Sequence, residues 1–297
     1  MERKPLTIKD SSVAFLSAFL ISQLAIVFVT IFAIIICNIA GLGSESYQTF
    51  FNTSYGYLIL ASVMYLVIAL VFFFINRKSD NKIISKSSGK KILFCILIAI
   101  ISFLALYPII TCIDTLLVNL GISLNTLPYE LNTSGYLVSL LSVVILPAIV
   151  EELLFRGLIF KGLKPYGKVF SISISALIFS LYHISIDQTI YPFLIGLLLG
   201  VIMYKENNIL YCIVVHFTNN LLSLTLSYLN INLSFNHWTY ILIAIILLIA
   251  FVSIVLYFTL KGRKEEPKEK ITTDGKAYFS ICLTILAIIF ILSSIEI

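Results

Sequence analysis

The stretch Tyr136–Leu163, YLVSLLSVVILPAIVEELLFRGLIFKGL, decides how the rest of the chain is read. It is apolar for long enough to cross a bilayer core of about 30 Å, which takes roughly 20 helical residues. Yet its second half holds Glu151, Glu152 and Arg156. An ionisable side chain at that depth costs about 2.5–3.5 kcal/mol on insertion scales, so it is kept only where it is used or paired. On a helix, Glu152 and Arg156 stand four apart and share a face. Glu151 points about 100° away and has no intrahelical cation. Removing a carboxylate from water without a counter-ion strengthens it as a base, which suits taking a proton from water near neutral pH. Pro147 has no N–H for the helix ladder, so a kink or break is expected just before the acidic pair. A structural ion pair closing a helix bundle competes with this reading, evenly so for Glu152 and Arg156.

Outward from this stretch the same composition continues. The 297 residues are 60% apolar and 12% charged, against about 45–50% and about 25% in ordinary soluble domains. A water-soluble enzyme, a disordered protein and a disulfide scaffold are thereby excluded. The expected class is an all-α, polytopic transmembrane bundle. Nine apolar segments can be placed: Val13–Ile39, Tyr55–Ile75, Ile92–Leu117, Tyr136–Leu163, Val169–Ile184, Ile190–Tyr204, Ile209–Leu229, Trp238–Leu260 and Tyr278–Ile295. The fifth and sixth are short, so eight spans is the competing count. The first is too long for a signal-peptide core and reads as a retained anchor. The five cysteines all fall within apolar runs without a C-x-x-C pair, and read as small hydrophobes with free thiols.

The basic residues set the orientation. All 20 Lys and Arg fall in the N-terminal tail, the loop at 76–91, the region 156–168, the turn at Lys205 and the loop at 261–277. The alternate loops near 41–54, 118–135, 185–189 and 230–237 hold none. Nine spans put every basic residue on one side, which the positive-inside rule makes cytoplasmic, with the N-terminus there too. The two basic loops divide the chain into 1–91, a two-span block with its loop; 92–260, a six-span block carrying the polar residues; and 261–297, a loop and a final span. Both loops read as solvated linkers.

Two further polar clusters lie in the central block. Phe179 and His183 are four apart in the fifth segment. His216 and Asn220 are four apart in the seventh, with Asn219 on a neighbouring stripe. Measured from the nearest basic anchor at about 1.5 Å per residue, Glu151 is roughly 20 Å deep, His183 roughly 22 Å and His216 roughly 16 Å. Three unrelated packing residues have no reason to share a level; a shared polar site does. Interhelical hydrogen bonding, worth about 0.6 kcal/mol each, is the bland alternative. His237 beside Trp238, Asp114, Asp187 and Glu130 read as interfacial or loop residues, and Gly196 with Gly200 as a close-packing pair.

A base carboxylate, two imidazoles and an amide suit hydrolysis of an acyl compound. Glu151 would deprotonate water, His183 would orient it, and His216 with Asn220 would face the oxyanion. If zinc is bound instead, Glu151, His183 and His216 are the candidate ligands. There is no H-E-x-x-H and no G-x-S-x-G. A mid-membrane site implies a substrate arriving through the bilayer or a flexible peptide end. Neither nucleic acid nor any particular cofactor is indicated, and the oligomeric state is left open.

The order E-E-x-x-x-R (Glu151, Glu152, Arg156), F-x-x-x-H (Phe179, His183) and H-x-x-x-N (His216, Asn220) resembles the CPBP family, over roughly residues 136–229. That family includes CAAX prenyl-protein type II endopeptidases and bacterial Abi, or bacteriocin-processing and immunity, proteins. The resemblance implies an intramembrane peptidase, glutamate-dependent or, on the older view, zinc-dependent. It implies Glu151, His183, His216 and Asn220 as catalytic, with Glu152, Arg156 and Phe179 supporting. The Ile-, Lys- and Asn-rich composition looks like that of a low-GC bacterium, so a plasma-membrane location with a peptide or membrane-protein terminus as substrate is expected. A prenylated C-terminus is not. The rival functions are a proton-coupled transporter and a catalytically idle immunity or scaffold protein.

Overall fold

The computed structural model describes residues 4–43, 45–122, 124, 132–231, 269–295 and positions 242, 245, 246, 248, 249, 252 and 253. Among these the regular structure is helical, apart from one isolated bridge between Lys4 and Ser79. The helices are α1 (Ile8–Ile39), α2 (Ser46–Phe51), α3 (Ser54–Asn76), α4 (Gly89–Asn119), α5 (Thr133–Tyr166), α6 (Lys168–Leu181), α7 (Ile190–Glu206), α8 (Ile209–Tyr228) and α9 (Thr273–Ile295). Six of them, α1, α3, α4, α5, α8 and α9, are long and apolar enough to cross a membrane. The fifth and sixth expected segments form the shorter α6 and α7, of 14 and 17 residues. The eighth, Trp238–Leu260, lies largely outside the described residues, as do His237 and Glu130.

Local chemistry explains where the helices begin. Thr7 and Asp10 form a reciprocal capping box at the start of α1. Thr53, Asn132 and Asn208 accept backbone N–H bonds at the starts of α3, α5 and α8. Such caps satisfy the orphan donors of a first turn. Asn207 ends α7 in the left-handed region, with φ 48°, a conformation asparagine tolerates better than most residues.

α5 is not a uniform α-helix. Two π-helical stretches, Leu140–Ile145 and Leu153–Ile159, flank the α-helical Leu146–Glu152. At their ends Leu146 N donates to Leu141 O and Phe160 N to Phe155 O, five residues back. The expected break at Pro147 takes this form: the helix widens and continues. The carbonyl of Val143, which an N–H at position 147 would serve in an α-helix, accepts from Asn220 Nδ2 at 3.0 Å. Around the second stretch, Ser11 Oγ donates to the carbonyls of Leu158 and Ile159 at 3.3 and 3.1 Å. Neighbouring polar groups thus take up carbonyls of the irregular helix, as a low-dielectric interior requires.

The buried side chains of α1, Ser11, Ala14, Phe15, Ala18, Phe19 and Ser22, form one stripe against α3, α5 and α9. Beyond it, Leu24, Phe28 and Phe32 are exposed, the surface expected against acyl chains. α6 packs against α7 and α4 against α8. A Cβ on Gly196 would stand 3.1 Å from Ala176 Cα, and one on Gly200 3.2 Å from Ile172 Cγ2, so this pair does permit the close α6–α7 approach. Cys95, Cys212 and Cys282 are buried, whereas Cys37 is half-buried and Cys112 exposed, the last two on helix faces turned away from the core.

The loop after α3 departs from the solvated linker that its charge suggests. Asn81 Nδ2 donates to Gly157 O at 2.7 Å, Lys161 Nζ to Lys82 O at 3.0 Å, Ile209 N to Ile83 O at 2.8 Å, and Asn208 Nδ2 to Ser85 O at 3.0 Å. The loop is a strap across the ends of α5 and α8, held by its backbone carbonyls and the Asn81 amide rather than by its charges. Asp80 N reaches Lys4 O at 3.3 Å, and Glu269 N reaches Pro165 O at 3.1 Å. The N-terminal tail, this strap, the end of α5 and the approach to α9 therefore gather at one end of the bundle.

Candidate active site

α5, α6 and α8 bring the motif residues together, and α3 adds one that the motifs do not contain. Glu152 and Arg156 are both fully buried. Arg156 Nη1 donates to Glu152 Oε1 at 3.0 Å, and Nη2 donates to the backbone carbonyl of Gly196 at 3.2 Å. The guanidinium also lies over the Phe179 ring, 4.5 Å from its centroid. A buried ion pair is costly unless its remaining groups are met by dipoles or π faces; α7 supplies the Gly196 carbonyl and α6 the Phe179 ring, while Glu152 Oε2 and Arg156 Nε have no hydrogen-bond partner among the described residues.

The same Glu152 Oε1 is 2.9 Å from His216 Nδ1. A carboxylate paired with arginine is an acceptor only, so Nδ1 carries the proton and Nε2 is turned the other way. Nε2 lies 3.9 Å from Glu151 Oε2, too long for a direct hydrogen bond and close enough for both atoms to face one small space. Glu151 is 5% exposed and His216 5% exposed. Glu151 Oε1 is held at 3.1 Å by the hydroxyl of Tyr65 on α3.

His183 is not on a helix face. α6 ends at Leu181, and His183 stands in the turn beyond it, half-buried. Its Nδ1 is 3.0 Å from Phe179 O. A carbonyl can only accept, so this imidazole also carries its proton on Nδ1 and presents Nε2 as an acceptor. The Phe179 ring joins the two histidines edge to face, with centroids 5.2 Å from His183 and 5.7 Å from His216. Phe179 is thus the contact shared by Arg156, His183 and His216.

Asn220, one turn beyond His216, is engaged with Val143 O on α5. Asn219 is buried and accepts from Tyr191 OH at 2.7 Å, tying α8 to α7. The structure therefore clusters Glu151, Glu152, Arg156, Phe179 and His216 tightly, attaches His183 through Phe179, and places Asn220 at the α5–α8 seam. The three candidate zinc ligands do not form a donor set. Glu151 and His216 face each other, His183 is linked only through an aromatic ring, and no group of three or more metal-binding side chains occurs among the described residues.

Tyr65 was missed by the sequence reading. The available signal was its position: a phenol midway along an uncharged span must find a partner for its hydroxyl.

Neither a curated protein nor a solved structure matches the chain. Residues 133–222, which contain all of the motif residues, are similar to the family described as type II CAAX prenyl endopeptidase Rce1-like.

Proposed function

We propose that this multi-pass membrane protein is an intramembrane endopeptidase that hydrolyses a peptide bond with a water activated by Glu151. The observation carrying this reading is the Glu151–His216 pair. Two buried polar side chains from separate helices face each other at 3.9 Å, within the segment that matches an endopeptidase family.

In the proposed reaction Glu151 Oε2 takes a proton from water, and the hydroxide oxygen bonds to the substrate carbonyl carbon. His183 Nε2, an acceptor by its hydrogen-bonding pattern, orients the water. The carbonyl π pair moves to oxygen, and the oxyanion meets Asn220 and His216. His216 donates there through a protonated Nε2, while Nδ1 stays on Glu152, which fixes the ring's orientation. The C–N bond then breaks, and the proton on Glu151 passes to the departing amine. No step is routed through a metal, because the candidate ligands do not converge.

The finer reading has nine spans, a cytoplasmic N-terminus and residence in a bacterial plasma membrane. The substrate is a peptide or membrane-protein terminus, as in peptide or bacteriocin processing or immunity. The basic segments gathered at one end of the bundle and the composition of the chain support it. The test is mass spectrometry of new peptide termini, after the chain is produced in a bacterial host lacking it. Wild type should generate termini that Glu151→Ala and His183→Ala do not, at equal membrane abundance. Identical termini from all three proteins would sink the proposal.

A further inference from the structure

Tyr65 sits on α3, outside the segment that matches the family model. It belongs to the buried stripe Ala61, Tyr65, Ile68 and Val71, which turns one face of α3 toward α5. Ala61, Ile68 and Val71 are filled by packing alone. Tyr65 is 7% exposed, and its hydroxyl reaches Glu151 Oε1 at 3.1 Å. Phenylalanine would cover the same apolar surface; the hydroxyl is the part that only Glu151 explains. Arg156 is committed to Glu152 and Gly196 rather than to Glu151. His216 from α8 also faces it, and Tyr182, just beyond the end of α6, lies within electrostatic reach of it.

From this we infer that Tyr65 is a positioning residue for Glu151: its phenol holds Oε1, and so aims Oε2 at His216 and the space between them. The inference rests on the peptidase reading for its purpose but not for its geometry. A phenol donating to a carboxylate engages one of its oxygens and fixes the rotamer. The working apparatus then extends beyond the three motif helices to a helix of the amino-terminal block. Without the hydroxyl, Glu151 keeps its place in the chain but loses both its aim and a donor to its charge.

The test uses dicyclohexylcarbodiimide, a membrane-soluble reagent that adds to protonated, unengaged carboxyl groups, on the purified full-length protein in lipid vesicles. Labelling at Glu151 and Glu152 is followed separately by fragment mass spectrometry. Tyr65→Phe should raise the rate at Glu151 roughly tenfold, the worth of one charge-assisted hydrogen bond, and leave Glu152 unchanged. An unchanged rate at Glu151 overturns the inference. So does an equal rise at both carboxylates, which would mean loosened packing. Tyr65→Met serves as a second variant without a hydroxyl and should behave like Tyr65→Phe. The labelling needs no substrate. A protein inert toward peptides would leave this result standing, and an unshifted rate would leave the peptidase reading standing.

Discussion

The two histidines occupy unlike regions of the site. His216 lies in the middle of α8, 5% exposed, with one nitrogen on Glu152 and the other toward Glu151. His183 lies past the end of α6, half-buried, with a local bond to Phe179 O and followed by Ile184 at φ 52°. A left-handed conformation costs a β-branched residue roughly 1–2 kcal/mol. One region is a closed polar network in which each member leans on another; the other is a single side chain on a strained turn. Losses in the network should therefore appear in both stability and activity. Losses at the turn should appear in activity alone.

The sharpest break is at Arg156. Arg156→Met leaves Glu152 buried without its cation and should cost about 3–5 kcal/mol, seen as a large fall in the unfolding midpoint in detergent. Arg156→Lys should rescue little, because it cannot serve Glu152, Gly196 O and the Phe179 face together. Next comes the contrast itself. His216→Ala should cost roughly 1–3 kcal/mol by stripping a donor from Glu152. His183→Ala should stay within about 0.5 kcal/mol, as a substitution that breaks no buried network does. Both should abolish cleavage, and equal destabilisation would erase the distinction.

Two smaller effects bracket it. A Cβ at Gly162 would meet Thr7 O at 2.4 Å and Ser11 Oγ at 2.0 Å. Gly162→Ala should therefore cost about 1–3 kcal/mol by overpacking α1 against α5, without touching either histidine. Ile184→Gly releases the left-handed turn but frees the unfolded chain. The net change in the unfolding midpoint should be near zero or slightly upward, whereas glycine at a helical isoleucine such as Ile178 should lower it.

Much of the fold could be read in advance, for a physical reason. Apolar runs such as Ile209–Leu229 announce helices because unbonded backbone is prohibitive in hydrocarbon. The Glu152–Arg156 pair followed from helix periodicity. Spacing along one helix says which residues share its face, but not which neighbour that face meets. Hence the Glu152–His216 bond, the Tyr65–Glu151 bond and the π stretches in α5 stayed hidden. The apolar run continues to Ile184 and so suggests that His183 lies on a helix face; the helix ends at Leu181. The loop at 77–88 looked like a solvated tether because its Lys residues are conspicuous. Its carbonyls and Asn81, which bind α5 and α8, carry no sequence signal.

The central claim is that Glu151 and His216 act together in one reaction, Glu151 on the water and His216 on the oxyanion. A double-mutant cycle on the cleavage rate tests it most directly, using Glu151→Asp and His216→Asn, which retain shortened polar groups. Residues acting as a unit are strongly non-additive. The account predicts that the double variant is no slower than the slower single variant; losses that multiply would mean that the two side chains work apart, and would contradict it.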